Sequence, residues 1–130
     1  MEDPQWLSRV DIEALHTLAI DRAGGAHGLR DEHLLESALA RPLNLHAYSQ
    51  QDVFELAACY AEGFARNHAF LDGNKRVGFA AALMFLHDNG YEILPRQDEV
   101  YVSMMELLAQ GEIPREEFAT CLRENARQIF

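Results

Sequence analysis

The stretch from Val77 to Leu86 constrains the fold more than any other part of this 130-residue chain. Eight consecutive residues within it, from Phe79 to Leu86, are apolar. Gly90 follows as a typical C-terminal stop, so the pattern predicts a helix over about 74–89. A helix that is apolar on every side has to be covered on every side. The remaining segments are therefore expected to pack around it as the buried central helix.

The rest of the chain shows helical periodicity interrupted by caps and breakers, which predicts an all-α bundle of about six helices in a single domain, 1–130. Pro42 is expected to end the second helix, because proline lacks an N–H group and clashes in a helix interior. The segment 42–50 has no clear period and is expected to be a surface excursion or a short hairpin. A short extended piece is predicted over 91–94. The predicted helices begin at Ser8, Asp31, Asp52, Asn74, Asp98 and Pro114 and end near Gly24, Pro42, Asn67, Asn89, Ala109 and Ile129.

The charge balance limits the classes of partner. The chain has 21 Asp and Glu against 11 Lys and Arg, a formal net charge of −10. Binding to nucleic acid depends on cations that neutralise phosphates, so no nucleic-acid partner is expected. The longest apolar run is too short to span a bilayer, and no membrane partner is expected. Cys59 and Cys121 fall in helical patterns and, with an N-terminus that lacks a signal peptide, predict a reduced, cytoplasmic protein.

Two cations, Lys75 and Arg76, stand at the predicted start of the helix over 74–89. This end of a helix carries the positive pole of the macrodipole and free N–H groups, so cations are locally unfavourable there. A local rule broken in this way is expected mainly at functional sites. A bound anion would offset the cost, because the free N–H groups and both side chains could hold it. The pair therefore predicts a phosphate-binding site.

The residues just before these cations carry complementary chemistry. His68 is a candidate general base, because histidine titrates near neutrality and can accept a proton from a hydroxyl. Asp72 is a candidate ligand for Mg²⁺ on nucleotide phosphates, or a helix N-cap. Gly73 allows close approach of a ligand to the backbone, and Asn74 can cap the helix or donate to a substrate oxygen. Each residue alone favours a structural role, whereas their combination favours a site. The remaining histidines lack partners at metal-ligand spacing and are expected to be structural: His16, His27, His33, His46 and His87.

Residues 68–76, His-Ala-Phe-Leu-Asp-Gly-Asn-Lys-Arg, resemble the Fic-family motif H-x-F-x-[DE]-[GA]-N-[GK]-R. The lysine form is similar to the death-on-curing (Doc) branch, the toxins of bacterial toxin–antitoxin pairs. Three further segments resemble that branch, so that the likeness covers nearly the whole chain: 28–31, 34–42 and 85–90. The region 28–48 would correspond to the flap that lines the target-binding edge of the site in this family.

The resemblance implies a role for each motif residue. His68 would be the general base, Asp72 would hold Mg²⁺, and Gly73 would bind phosphates together with Asn74, Lys75 and Arg76. Typical Fic enzymes transfer AMP from ATP to a protein hydroxyl. They carry a glycine at the position of Lys75 and a second arginine at that of Phe79.

Both departures agree with the Doc branch, for which the resemblance implies transfer of the γ-phosphoryl group of ATP to elongation factor Tu and arrest of translation. Arg66 is either a replacement cation for the nucleotide or a solvated helix residue. Control by an antitoxin that binds as a helix in an apolar groove is also implied. Two alternatives stay open, a Fic-type AMP transferase and a catalytically silent Fic-fold binding module. The complete set of His68, Asp72, Asn74 and Arg76 argues against the second.

Overall fold

The computed structural model describes residues 3–130 and confirms the all-α class, with six helices and one small sheet in that range. The elements in chain order are α1 (Arg9–Ala23), α2 (Glu32–Ser49), α3 (Val53–Asn67), α4 (Asn74–Asp88), β1 (Tyr91–Ile93), α5 (Val100–Gln110), α6 (Arg115–Glu124) and β2 (Ala126–Gln128). The predicted caps Ser8, Asp31 and Asp52 each accept a hydrogen bond from a backbone N–H three residues on. Over residues 3–130, every helix is too short or too polar to cross a bilayer.

The centre of the bundle is α3, not α4 as the apolar run predicted. Nearly every residue from Phe54 to Ala65 is buried, because α2, α4, α5 and α6 all pack against α3. In contrast, α4 leaves Phe79 and Met84 partly exposed. The difference follows from side-chain size. The buried face of α3 is rich in alanine, so four neighbouring helices can approach its backbone: Ala57, Ala58, Ala61 and Ala65.

The helices α3 and α4 approach each other closely at Gly78. A Cβ atom placed on Gly78 would lie 2.7 Å from the carbonyl oxygen of Ala61, which is too close for any side chain. Because the two helices flank the turn that carries the predicted site, their separation sets the geometry of that turn. Gly78 is therefore a packing residue that supports the site by allowing α3 and α4 to lie close together.

The helix α2 continues through Pro42 to Ser49, so the prediction that Pro42 ends it is wrong. The predicted excursion or hairpin over 42–50 is likewise helical. Proline removes one backbone hydrogen bond from a helix interior. Here Pro42 is itself fully buried, and Leu39 and Leu45 on either side of it pack against the core. Burial of these side chains outweighs the lost hydrogen bond.

The chain after α5 also departs from the prediction. The last helix ends at Glu124 and not at Ile129, because the Asn125 side chain folds back to donate to the Cys121 carbonyl (2.8 Å). The next residues form β2, which pairs antiparallel with the predicted extended piece, now β1.

Asp98 does not cap α5. Its carboxylate binds Arg96, and that guanidinium lowers the pKa of Asp98.

A first prediction tests the spacing of α3 and α4. Gly78→Ala should lower the free energy of unfolding by about 1–3 kcal/mol, because the added methyl group forces the two helices apart. Gly63→Ala on α3 is the matched control. Its Cβ would make ordinary contact with Ala38 at 3.4 Å, so it should be neutral or stabilise by up to about 1 kcal/mol through helix propensity. Urea denaturation of both variants measures this, and equal stabilities would contradict the packing account.

Candidate active site

Residues 68–73 form the turn that joins α3 to α4. His68 ends α3 with left-handed backbone angles (φ 53°, ψ 49°), and Gly73 precedes α4 with φ 80°. A non-glycine residue in the left-handed region carries local strain, which is typical of functional sites. The strain is stored where the candidate base stands, so the surrounding contacts have to hold this turn in place.

The loop before α2 provides some of these contacts. Leu29 pairs with Phe70 in an antiparallel bridge, and Arg30 Nε donates to the His68 carbonyl oxygen at 2.6 Å. Within the predicted flap over 28–48, residues 28–31 form hydrogen bonds with the turn, and the residues that follow belong to α2. The Asp31 cap starts that helix immediately after the bridge.

Asn74 closes the turn from the other side. Its Oδ1 accepts from the Phe70 N–H and its Nδ2 donates to the Phe70 carbonyl, both at 3.0 Å, and the side chain is buried. Both polar groups of the amide are thus used within the turn. The structure gives Asn74 this positioning role in place of the predicted helix cap, since the cap position of α4 is Gly73.

A third support comes from α1 and was missed at the level of sequence. The buried His16 ring stacks on Phe70 with centroids 3.9 Å apart, and its Nε2–H donates to the Asp72 carbonyl oxygen at 2.9 Å. His16 was expected to be an ordinary structural residue. No sequence signal could have revealed its contact with the motif, because the two lie 56 residues apart on different elements.

Asp72 is exposed at the edge of the turn, and its Oδ2 accepts from the Ala26 N–H at 2.9 Å. The alternative prediction that it caps α4 is wrong, because the cap position is Gly73 and no side chain in the described range caps that helix. Residues 3–130 also contain no group of three or more His, Cys, Asp or Glu able to enclose a metal ion. A cation held by Asp72 together with phosphate and water would match the arrangement that Mg²⁺ prefers.

Lys75 and Arg76 lie in the first turn of α4, as predicted, and each contacts a group that partly offsets its positive charge. The Lys75 ammonium contacts the Glu106 carboxylate of α5 at 2.6 Å. The Arg76 guanidinium donates to the carbonyls of Gly24 (3.2 Å) and Ala19 (3.5 Å) at the C-terminal end of α1. That end carries the negative pole of α1, so the contact is favourable. Both residues stay exposed.

Two clefts meet at this helix start. The Arg76 cleft, about 540 Å³, adds an apolar wall to Arg76, formed by Phe79, Tyr101, Val102 and Met105. The His68 cleft, about 360 Å³, contains His68 and is bordered by Ala65, Leu71, Ala109 and Gln110. Both are lined by the same five residues: Asp72, Gly73, Asn74, Lys75 and Glu106. The candidate base and the candidate phosphate ligands thus face a shared boundary from two sides.

Comparison with known proteins identifies the family. Residues 6–86 match the sequence model of the Fic/DOC family, a span that includes the whole motif. The chain belongs to the Fic/DOC family. Toxin Doc of Mycolicibacterium smegmatis is 39% identical over 93 residues, which cover 68% of this chain and 68% of that protein. Protein kinase doc of Escherichia phage P1 is 35% identical over 120 residues, covering 90% of this chain and 92% of its own. These similarities confirm the resemblance to the Doc branch.

In this Fic/DOC protein, Arg66 lies outside both clefts. Its Nε donates to the Leu108 carbonyl (2.8 Å), and its guanidinium contacts the buried carboxylate of Glu62 (3.2 Å). Arg41 and Arg115 approach the same carboxylate, at 2.6 and 3.7 Å. Arg66 thus joins α3 to α5 as part of an ionic cluster around the buried Glu62 carboxylate. The structure places Arg66 outside these two clefts, which gives no support to the predicted contact with the nucleotide, and its contacts with Glu62 and Leu108 also exclude a freely solvated side chain.

A second prediction separates the structural and ligand roles of Arg76. Arg76→Ala should lower the stability of the ligand-free protein by about 1 kcal/mol or less, through the lost contacts to α1. Its affinity for Mg·ATP should fall by roughly tenfold or more, because a charge-assisted phosphate contact is lost.

The control is Arg22→Ala, which also removes one positive charge. Arg22 lies in the last turn of α1 and lines neither cleft. Its affinity for Mg·ATP should be unchanged in calorimetric titration. A large loss of stability with unchanged affinity in Arg76→Ala would show that Arg76 has only a structural role.

Proposed function

We propose that this protein is a Doc-type toxin of a toxin–antitoxin pair that transfers the γ-phosphoryl group of ATP to a hydroxyl of a target protein. The observation that carries the proposal is the shared boundary of the two clefts. A phosphate donor on the Arg76 side and a hydroxyl on the His68 side would meet over the same residues. The family membership and the two Doc relatives support the assignment.

The Arg76 cleft suits a nucleotide at both of its ends. The uncapped start of α4 offers backbone N–H groups, and Lys75 and Arg76 add two cations, so polyphosphate would bind there. The opposite wall is apolar and aromatic, with Phe79 and Tyr101 in contact at 5.4 Å between ring centroids. A purine ring would pack against this wall.

Asp72 lies between the two clefts and would hold Mg²⁺ through its free carboxylate oxygen, with the phosphates and water as further ligands. The bound ion would neutralise part of the charge that develops on the transferred group. The Ala26 N–H donates to the other carboxylate oxygen and so restrains the Asp72 side chain.

The proposed reaction uses His68 as the base. A target hydroxyl in the His68 cleft would give its proton to the imidazole as its oxygen forms a bond to the γ-phosphorus. The bond from that phosphorus to the oxygen that bridges to the β-phosphate would break, and ADP would leave. Lys75 and Arg76 would stabilise the negative charge on the transferred and leaving groups.

AMP transfer is the second candidate, because it is the typical Fic reaction. It would require the α-phosphate at the boundary instead of the γ-phosphate. Two residues of this chain oppose that pose. Lys75 projects into the shared boundary where typical Fic enzymes have glycine, and Phe79 places an aromatic ring where they have a second arginine. The nucleotide is therefore expected to bind with its γ-phosphate nearest His68.

The proposed partners follow from the Doc assignment. We propose elongation factor Tu as the protein substrate, which would link the activity to arrest of translation. An antitoxin is proposed to control the toxin by binding as a helix on an apolar groove. The formal net charge of −10 argues against nucleic acid as a further partner.

A third prediction decides which phosphate moves. With elongation factor Tu as acceptor, label from γ-labelled ATP should appear on the acceptor, and label from α-labelled ATP should not. His68→Ala should lower the rate by roughly 100-fold or more, since a general base contributes about that much. His87→Ala, at the exposed end of α4 and outside both clefts, is the control and should keep the full rate. Transfer of α-label by the parent protein would replace the kinase assignment with AMP transfer.

A further inference from the structure

We infer that Glu106 of α5 acts as an internal competitor of the nucleotide phosphates for Lys75, and so sets the nucleotide affinity of the site. The inference rests on the proposed function, since it assumes that Lys75 binds phosphate. Glu106 stands outside the motif at residues 68–76 and belongs to another helix. Its effect would add a tuning element that the motif does not contain.

The geometry places Glu106 where a phosphate is expected. Its Oε1 lies 2.6 Å from Lys75 Nζ, a distance typical of a charge-assisted hydrogen bond. Glu106 is also one of the five residues that line both clefts. The carboxylate thus occupies the boundary at which the phosphate donor and the target hydroxyl would meet.

The local charges explain why this contact forms in the ligand-free protein. The first turn of α4 contains no acidic residue, while it carries Lys75 and Arg76 beside the positive pole of the helix. Arg76 is offset by the carbonyls of α1, and Asp72 accepts from the Ala26 N–H. Glu106 is therefore the carboxylate that compensates Lys75 until an anion arrives.

The ion pair between Lys75 and Glu106 is suited to replacement of the carboxylate by a phosphate. The side chains of Lys75 and Glu106 are 47% and 46% exposed, so water can solvate each of them when they separate. Exposed ion pairs of this kind are weak. A polyphosphate carries more negative charge than one carboxylate and would displace Glu106 from Lys75. Loss of the ion pair would be one cost to nucleotide affinity. The displaced carboxylate would remain in the cleft wall and repel the phosphates, which would lower the nucleotide affinity further.

The test is a calorimetric titration of Mg·ATP and of inorganic pyrophosphate into the parent protein and Glu106→Gln. Glutamine keeps the shape of the side chain and removes its charge. We expect binding to tighten by roughly three- to tenfold, as for removal of a weak competing ion pair. Glu99→Gln, at the exposed start of the same helix and outside both clefts, should leave the affinity unchanged.

A double-mutant cycle assigns the effect to Lys75. In a Lys75→Met background, Glu106→Gln should give less than half of its original gain, because the contested cation is absent. An equal gain in both backgrounds would overturn the inference in favour of a general charge effect. Equal affinity of the parent and Glu106→Gln would overturn it while leaving the nucleotide site intact. If the parent and Glu106→Gln both bind neither ligand, the nucleotide site and the inference fail together.

Discussion

The site depends on the pair of hydrogen bonds between the Asn74 amide and the Phe70 backbone. They close a turn in which His68 takes a left-handed conformation, and they link the end of α3 to the start of α4. His16 and Arg30 brace the same turn from α1 and from the flap. Because the turn is held at several points, the candidate base, the candidate metal ligand and the cations keep fixed relative positions. Preorganisation of this kind is what transfer chemistry requires.

The positive charges at the start of α4 are the second feature on which the candidate site depends. Cations at a helix start are unfavourable, and the protein compensates them with weak contacts that an anion can replace or supplement. Arg76 donates a hydrogen bond to a carbonyl at the end of α1, and Lys75 forms an ion pair with the exposed Glu106. The resulting site is charged yet stable without a ligand. This arrangement is compatible with the proposed phosphate site in a chain whose formal net charge is −10.

Local signals predicted much of the fold, because caps act over one helical turn. The starts of α1, α2 and α3 follow from Ser8, Asp31 and Asp52. Features decided by packing escaped prediction, such as the passage of α2 through Pro42 and the pairing of β2 with β1. The same limit applies to the site. The motif gave its candidate residues, whereas His16 contacts the turn and Glu106 contacts Lys75 from distant helices, and these contacts leave no local trace in the sequence.

The central claim is that the start of α4 is the phosphate site, and amide NMR tests it most directly. Titration of a ¹⁵N-labelled sample with Mg·ATP should shift the backbone amide signals of Asn74, Lys75 and Arg76 most strongly, since their N–H groups would donate to phosphate oxygens. Signals in α6, outside both clefts, should barely move. Shifts centred on the ionic cluster of Glu62, with the α4 amides unchanged, would contradict the account.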